Sequence, residues 1–283
     1  MTFLKKANLK IAIQGLEGAY GHEAVLHNFN KPDIMFCPSS EEVFENIENQ
    51  KVDLALVPIE NSIVGNVTVN TDLFIKYKIK IVAEFFHQVS HCLLGLPESE
   101  LRDIKKVYSH PVALGQCRDF LQKYNIESID SFDTAGSAKF INEWQDKKRA
   151  SIASNLAAEY YKLKILAKDI QSFSKNYTRF CAILPQRHHY YPTEKGAYKT
   201  SLAFSTPHRP GSLLTTLNIF DRHKINLTKI ESRPVPENLF QYVFYVDFLG
   251  SSKDQQISEA LSEIKEEVDE LFFFGSYPAG KIV

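Results

Sequence analysis

The chain has 283 residues, 44% of them hydrophobic, and its 33 basic and 34 acidic side chains leave a net charge of -1. That length suits two domains of about 150 residues each, and charges of both signs interspersed along it exclude the one-sided basic footprint of a nucleic-acid binder. The four cysteines, Cys37, Cys92, Cys117 and Cys181, form no C-x-x-C pair, which excludes a zinc knuckle and a dithiol redox motif and suits reduced thiols in the cytoplasm.

The N-terminal stretch MTFLKKANLKIAIQG carries lysines but lacks the apolar core and small-residue cleavage site of a signal peptide. No run approaches the roughly 18 apolar residues of a membrane helix, so a cytoplasmic protein without membrane contact is expected. From Leu9 onward, short apolar runs alternate with amphipathic stretches: LKIAI, AYGHEAVLHNF, DIMFC, SSEEVFENIENQ and VDLALVPIE. This is the rhythm of β-α-β units around a mostly parallel sheet. A long β-rich passage, KIKIVAEFFHQVSHCLLGL, interrupts it. The alternation then resumes through KKVYSH, VALGQCRDFLQKY, IESIDSF, TAGSAKFINEW, RASIAS, NLAAEYYKL and KILA. A pattern that stops, bridges and restarts predicts two α/β lobes within residues 1–185, with a ligand cleft between them. The stretch PQRHHYYPTEKGAYK at 185–199 has two prolines, a glycine and no apolar periodicity, and marks a domain boundary. Residues 198–283 then read strand, helix, strand, strand, helix, strand, the ferredoxin-like βαββαβ plan.

Five stretches are candidates for chemistry. GLEGAYGHEA (15–24) leaves a strand and opens a helix; its glycines suit either close approach to an anion at a helix start or simply a tight turn. VPIENSIVGNV (57–67) brings Glu60, Asn61, Ser62 and Gly65 to the carboxyl end of a buried strand, where open α/β sheets bind ligands, although Asn61 and Ser62 also suit a turn cap. YSHPVALGQCRDFL (108–121) places Ser109 and His110 before a helix that Pro111 can start, with His110 either an acid-base group or a cap. DTAGSAKFI (133–141) repeats the plan, with Asp133 or Thr134 as the helix cap. NYTRF (176–180) sets the Thr178 hydroxyl beside Arg179, which can hold a carboxylate bidentately. Phe180 suits the core. No Ser-His-Asp order, metal-spaced set, Walker loop or haem motif accompanies these residues, which leaves hydroxyls, an arginine and backbone amides for a small dicarboxylate without a cofactor.

Together these stretches resemble the prephenate dehydratase family, from Lys10 to about Pro278. The pattern G-P-x-G-(S/T)-(F/Y)-S-x-x-A is met at Gly15, Gly18, Tyr20 and Ala24, with Leu16 in place of proline and Gly21 in place of serine. V-P-I-E-N-S-x-x-G-x-V is complete at 57–67 and S-H-P-x-A-L-x-Q-C at 109–117, where Val112 replaces the usual glutamine. D-T-A-x-(A/S)-A is met at 133–138 and N-x-T-R-F is intact. Ser172 stands where aspartate is common.

The resemblance implies an α/β fold with a two-lobed catalytic domain like periplasmic binding proteins, followed by an ACT domain. It implies conversion of prephenate to phenylpyruvate, with Thr178 and Arg179 catalytic and Glu60, Asn61, Ser62, Gly65, Ser109, His110, Thr134, Asn176 and Phe180 around the substrate. In the ACT domain it implies a phenylalanine site at Gly211, Ser212, Leu213 and Leu214 together with Glu231, Ser232, Arg233 and Pro234. A homodimer or homotetramer is expected because ACT domains usually pair, as is a monofunctional enzyme because no chorismate mutase helices precede Leu9. Arogenate dehydratases share these motifs, and a non-catalytic amino-acid sensor on the same fold is the rival outside enzymes.

Overall fold

The first strand, β1 (Lys10–Gln14), buries Ile11, Ala12 and Ile13 on both faces, as a strand covered by helices on each side must. The structure is a computed structural model that describes residues 3–234 and 242–282. Around β1 the first lobe assembles α1 (Tyr20–Asn28), β2 (Asp33–Cys37), α2 (Ser40–Glu48), β3 (Leu54–Asn61), the short β4 (Gly65–Asn66), α3 (Thr68–Lys76) and β5 (Ile79–Gln88). Helix α2 shows why these segments form where they do. Ser39 caps it by accepting from the Glu42 amide, and Val43, Phe44 and Ile47 recur on the face turned to the sheet.

The chain then crosses to a second lobe of β6 (Cys92–Gly95), β7 (Lys106–Ser109), α4 (Pro111–Gln116), α5 (Arg118–Lys123), β8 (Glu127–Asp130), α6 (Thr134–Trp144), β9 (Arg149–Ala153), α7 (Asn155–Tyr160) and β10 (Lys164–Ala167). It returns as β11 (Tyr177–Pro185), which enters the first sheet between β3 and β5. The two crossings are laced together: Val89 donates to the Asn176 carbonyl at 2.8 Å and Ile170 to that of His91 at 3.1 Å.

Both sheets are mixed, which corrects the expectation of mostly parallel ones. Strand β1 is parallel to β2 and β3, but the returning β11 runs against both of its neighbours. In the second lobe β7 is parallel to β8 and β9, while β6 and β10 are antiparallel additions. The amphipathic run at 112–124 is two six-residue helices, broken at Cys117, whose N–H is shared between the Ala113 and Leu114 carbonyls. Helix α3 was not expected at all, because β-branched Thr68, Val69 and Thr71 imitate a strand.

The last domain comprises β12 (Tyr198–Ser205), α8 (Ser212–Arg222), β13 (Leu227–Pro234), β14 (Tyr242–Leu249), α9 (Gln255–Glu267) and β15 (Glu270–Pro278), in the antiparallel order β13-β14-β12-β15. One sheet face packs under its helices through Phe204, Phe220, Phe248, Ile257 and Ile264. The opposite face lies on the back of the first lobe, where Ala203, Val243, Tyr245, Phe274 and Tyr277 join the core of that lobe, and Phe274 meets Phe74 of α3 edge-on at 5.4 Å.

The seam between the two lobes runs past Gly18, whose carbonyl accepts from the Ser154 hydroxyl at 2.5 Å. Its φ is +83°, and a Cβ there would lie 2.6 Å from the Ala157 backbone. Gly18→Ala is therefore expected to lower stability by about 1–3 kcal/mol. Urea unfolding measures this directly, and a midpoint equal to that of the parent chain contradicts such a tight seam.

Candidate active site

A cleft of about 490 Å³ opens between the lobes, within the range of small-molecule sites. Strand β11 reaches it with alternate side chains: Thr178 and Phe180 line the cleft, and Arg179 points behind the sheet. Opposite it, β3 carries a bulge, because Arg179 pairs with Glu60 but Phe180 pairs with Pro58. The extra residue keeps Pro58 and Asn61 both in the cleft, with Ile59 behind. The second lobe supplies His110, Gln116, Phe132, Asp133 and Thr134, and His91 enters from the crossing.

A chain of hydrogen bonds spans the lobes, and its polarity is set at one end. The backbone N–H groups of Ile63 and Val64 donate to Asn61 Oδ1 at 3.0 and 3.1 Å, so Asn61 must present its Nδ2 to the other side. That nitrogen donates to Asn176 Oδ1 at 2.7 Å and to Thr178 Oγ1 at 3.1 Å. Asn176 in turn donates to Gln116 Oε1 at 3.1 Å. The same oxygen faces His91 Nε2 at 2.6 Å, so His91 carries its proton there, and its Nδ1 is left to accept from the Tyr20 hydroxyl at 2.6 Å, which also reaches the Ser90 carbonyl at 3.1 Å. Burial lowers the His91 pKa and holds the ring neutral, and burial pushes the Tyr20 phenol well above its ordinary value. Because Thr178 Oγ1 accepts from Asn61, its own hydrogen is left for a ligand in the cleft. Helix α1 also opens on the cleft; its N-cap, Ala19, supplies no side-chain bond, so the first amides of the helix remain available to an anion.

Of the residues expected around a substrate, Asn61, His110, Thr134, Thr178 and Phe180 line this cleft. Others lie elsewhere, for identifiable reasons. Asn176 is fully buried and supports Asn61 from behind. The Ser62 hydroxyl accepts from the Tyr177 amide and donates to the Lys175 carbonyl, stapling the loop to β11. Gly65, at φ +86°, forms the turn into β4. Ser109 is fully buried, donating to the Ile152 carbonyl at 2.6 Å across the sheet. Glu60 lies behind β3, 3.9 Å from Arg179.

Arg179 itself corrects the expectation of a carboxylate clamp. Its nitrogens bond Glu84 at 2.6 Å, Asp247 at 2.5 Å and Tyr277 at 2.9 Å, the last two from the C-terminal domain. Burial alone would raise the Asp247 carboxyl, but Arg179 and Ser201 together bring it below its ordinary value. His91 belongs to no motif in the sequence and stands with His87 inside a β-rich passage. Gln116 did stand in a quoted motif, as its glutamine.

A second pocket of about 340 Å³ sits at the start of α8, lined by Gly211, Ser212, Leu213 and Leu214 with His208, Arg209, Tyr242 and Phe244. Gly211 is the N-cap at φ +87°, which favours glycine, and leaves the amides of the helix start uncapped by side chains. Glu231, Ser232, Arg233 and Pro234 lie apart from it, on edge strand β13. Arg233 there makes a two-pronged bridge to Asp72 of α3, and Glu231 sits 3.3 Å from Lys229.

The profile of the family described as "Prephenate dehydratase" matches residues 11–188. The chain belongs to the prephenate dehydratase family. The profile of the ACT domain follows at 200–266. Family relatives include arogenate dehydratase 2 of Petunia hybrida, 38% identical over 96% of this chain and 72% of that protein. A bifunctional chorismate mutase/prephenate dehydratase of Aquifex aeolicus is 36% identical over 95% of this chain and 74% of its own. Among solved structures, a prephenate dehydratase from Arthrobacter aurescens in complex with L-Phe superposes with a TM-score of 0.87 at 28% identity, covering 96% of this chain and 90% of that one. A structure titled as a novel type of quorum quenching acylase, GqqA, superposes with a TM-score of 0.88 at 30% identity, covering 95% and 98%. Among the described residues, no helix is long and apolar enough to cross a membrane.

Three histidines of this family member, two of them buried, predict a stability profile. In the folded chain His91, His22 and His188 all lie below the ordinary value of 6.5, each chiefly through burial. The unfolded chain takes up protons near 6.5 that the folded chain refuses, so stability is fully present above that pH and is lost as pH falls through the lowered values. Urea midpoints measured from pH 8 down to pH 5 should fall, and His91→Asn should flatten part of that fall; an equal slope in the variant contradicts a neutral His91.

Proposed function

We propose that this chain is a prephenate dehydratase, a hydro-lyase that converts prephenate to phenylpyruvate under control by L-phenylalanine. The observation that carries the reading is the Thr178 hydroxyl, placed in the cleft by β11 with Asn61 donating to its oxygen, which leaves its own hydrogen free for a substrate.

The reaction needs little more than that. The bond from the ring to its carboxylate breaks, its electron pair completes the aromatic ring, and the C–O bond on the opposite ring carbon breaks as CO2 departs. Aromatisation drives the change, so the protein has to hold the substrate and help oxygen leave. Thr178 donates a hydrogen bond to the departing hydroxyl, an interaction that strengthens as charge develops on that oxygen. Helix α1 offers free amides to a carboxylate, and Phe180 and Phe132 give the ring an apolar floor. The neutral chain behind Thr178 fixes its direction without contributing charge.

The pocket at the α8 start suits an amino acid, with helix amides for the carboxylate and Leu213, Leu214, Tyr242 and Phe244 around an apolar side chain. The set on β13 would complete such a site from a second copy, which fits a homodimer or homotetramer paired through this domain. A cytoplasmic location accords with the unpaired, buried cysteines.

Purified protein given prephenate should form phenylpyruvate at a rate that falls when phenylalanine is added. Turnover of arogenate alone would move the chain to the sister activity, and turnover of neither would leave only a binding role. Thr178→Ala should lower kcat by about 10² to 10⁴, whereas Thr178→Ser, which keeps the hydroxyl, should retain most of it. Near-normal turnover in a folded Thr178→Ala protein removes Thr178 from the mechanism.

A further inference from the structure

We propose that Arg179 is a positioning residue, held by the ACT domain and setting through β11 the place of the Thr178 hydroxyl in the cleft. The inference rests on the dehydratase reading. The Arg179 side chain leaves β11 on the face opposite Thr178 and enters the polar centre of the C-terminal domain. Only 6% of it is exposed. Nε donates to Glu84 of β5, Nη1 to Asp247 of β14 and Nη2 to the Tyr277 hydroxyl of β15. The Ser201 hydroxyl of β12 bonds both Asp247 and Tyr277. Glu84 also receives Lys199 of β12 at 2.8 Å and the Gly280 amide at 2.9 Å. Two strands of the ACT sheet therefore grip one guanidinium that belongs to the catalytic sheet, and a third, β12, holds its partners.

A fastening alone could be built anywhere on this interface. What makes this one a positioning device is its place in the chain. Arg179 is bonded to Thr178, their Cα atoms about 3.8 Å apart across a rigid peptide. The β3 bulge falls beside this pair, between the partners of Arg179 and Phe180, where the ladder is least regular. A displacement of the ACT sheet thus reaches Thr178 through a single peptide unit. The Asn61–Thr178 bond is 3.1 Å long, so a small shift changes it. Misplacement by 1 Å can cost about 10²-fold in rate. A buried ion that loses one partner is strongly disfavoured, so Arg179 follows Asp247 when the ACT sheet moves.

The test uses the full chain carrying Asp247→Asn, and separately Tyr277→Phe, which keeps the ring packing and removes only the hydroxyl. Steady-state kinetics on prephenate, phenylalanine binding by calorimetry and hydrogen exchange of the 177–180 amides are measured for each. The expected result is a kcat lowered by about tenfold with KM within about twofold, and phenylalanine that still binds but no longer changes turnover. Faster exchange at 177–180 should accompany it. Folded variants with parental kcat, parental phenylalanine response and parental exchange overturn the proposal. So does a raised KM at constant kcat, which would return Arg179 to holding substrate. If the parent chain turns over neither prephenate nor arogenate, the dehydratase reading fails on its own. The exchange measurement then still decides whether the ACT grip orders β11.

Discussion

A β-strand turns successive side chains to opposite faces, and the molecule depends on how β11 uses that period of two. Thr178 and Phe180 enter the cleft, and Arg179, between them, enters the neighbouring domain. Strand β11 also follows directly on the return crossing, which is laced to the first crossing at Asn176, and it lies between β3 and β5 in the first sheet. One short segment therefore meets both lobes and the ACT domain. Moving it by one residue would put the guanidinium in the cleft and the hydroxyl in the ion cluster.

The apolar packing of the C-terminal domain makes this arrangement firm. Its sheet buries helices on one face and the back of the first lobe on the other, so that Tyr245, Phe274 and Tyr277 belong to the same core as Ile59 and Ile81. Polar groups inside such an interface are costly unless every one finds a partner. The cluster of Arg179, Glu84, Asp247, Ser201, Lys199 and Tyr277 meets that requirement through mutual bonds. The Arg233–Asp72 bridge ties a second point of the ACT sheet to α3, whose preceding residue, Val67, lines the cleft.

Much of this was legible in the sequence. Apolar runs such as LKIAI and VDLALV marked buried strands, and the stretch 185–199 separated segments that belong to different sheets. Thr178 and Asn61 were legible as polar residues at the ends of apolar strands. Which face Arg179 would take was not, because a strand's residue types do not state its orientation, and its partners Asp247 and Tyr277 lie 68 and 98 residues further on. Ser109 misled for a related reason: a hydroxyl at a strand end can as well bond a carbonyl across the sheet. The antiparallel return of β11 and the polar chain through His91 arise only when segments far apart in sequence meet.

The chain from Tyr20 to Thr178 consists entirely of uncharged groups, and burial widens the range over which it stays so, by depressing the imidazole and elevating the phenol. The direction of the Thr178 hydroxyl is thereby decoupled from proton concentration. Two backbone amides in a turn, at Ile63 and Val64, decide it. The orientation of the cleft's hydroxyl is thereby a property of the shape of one turn and of the strand that carries Thr178.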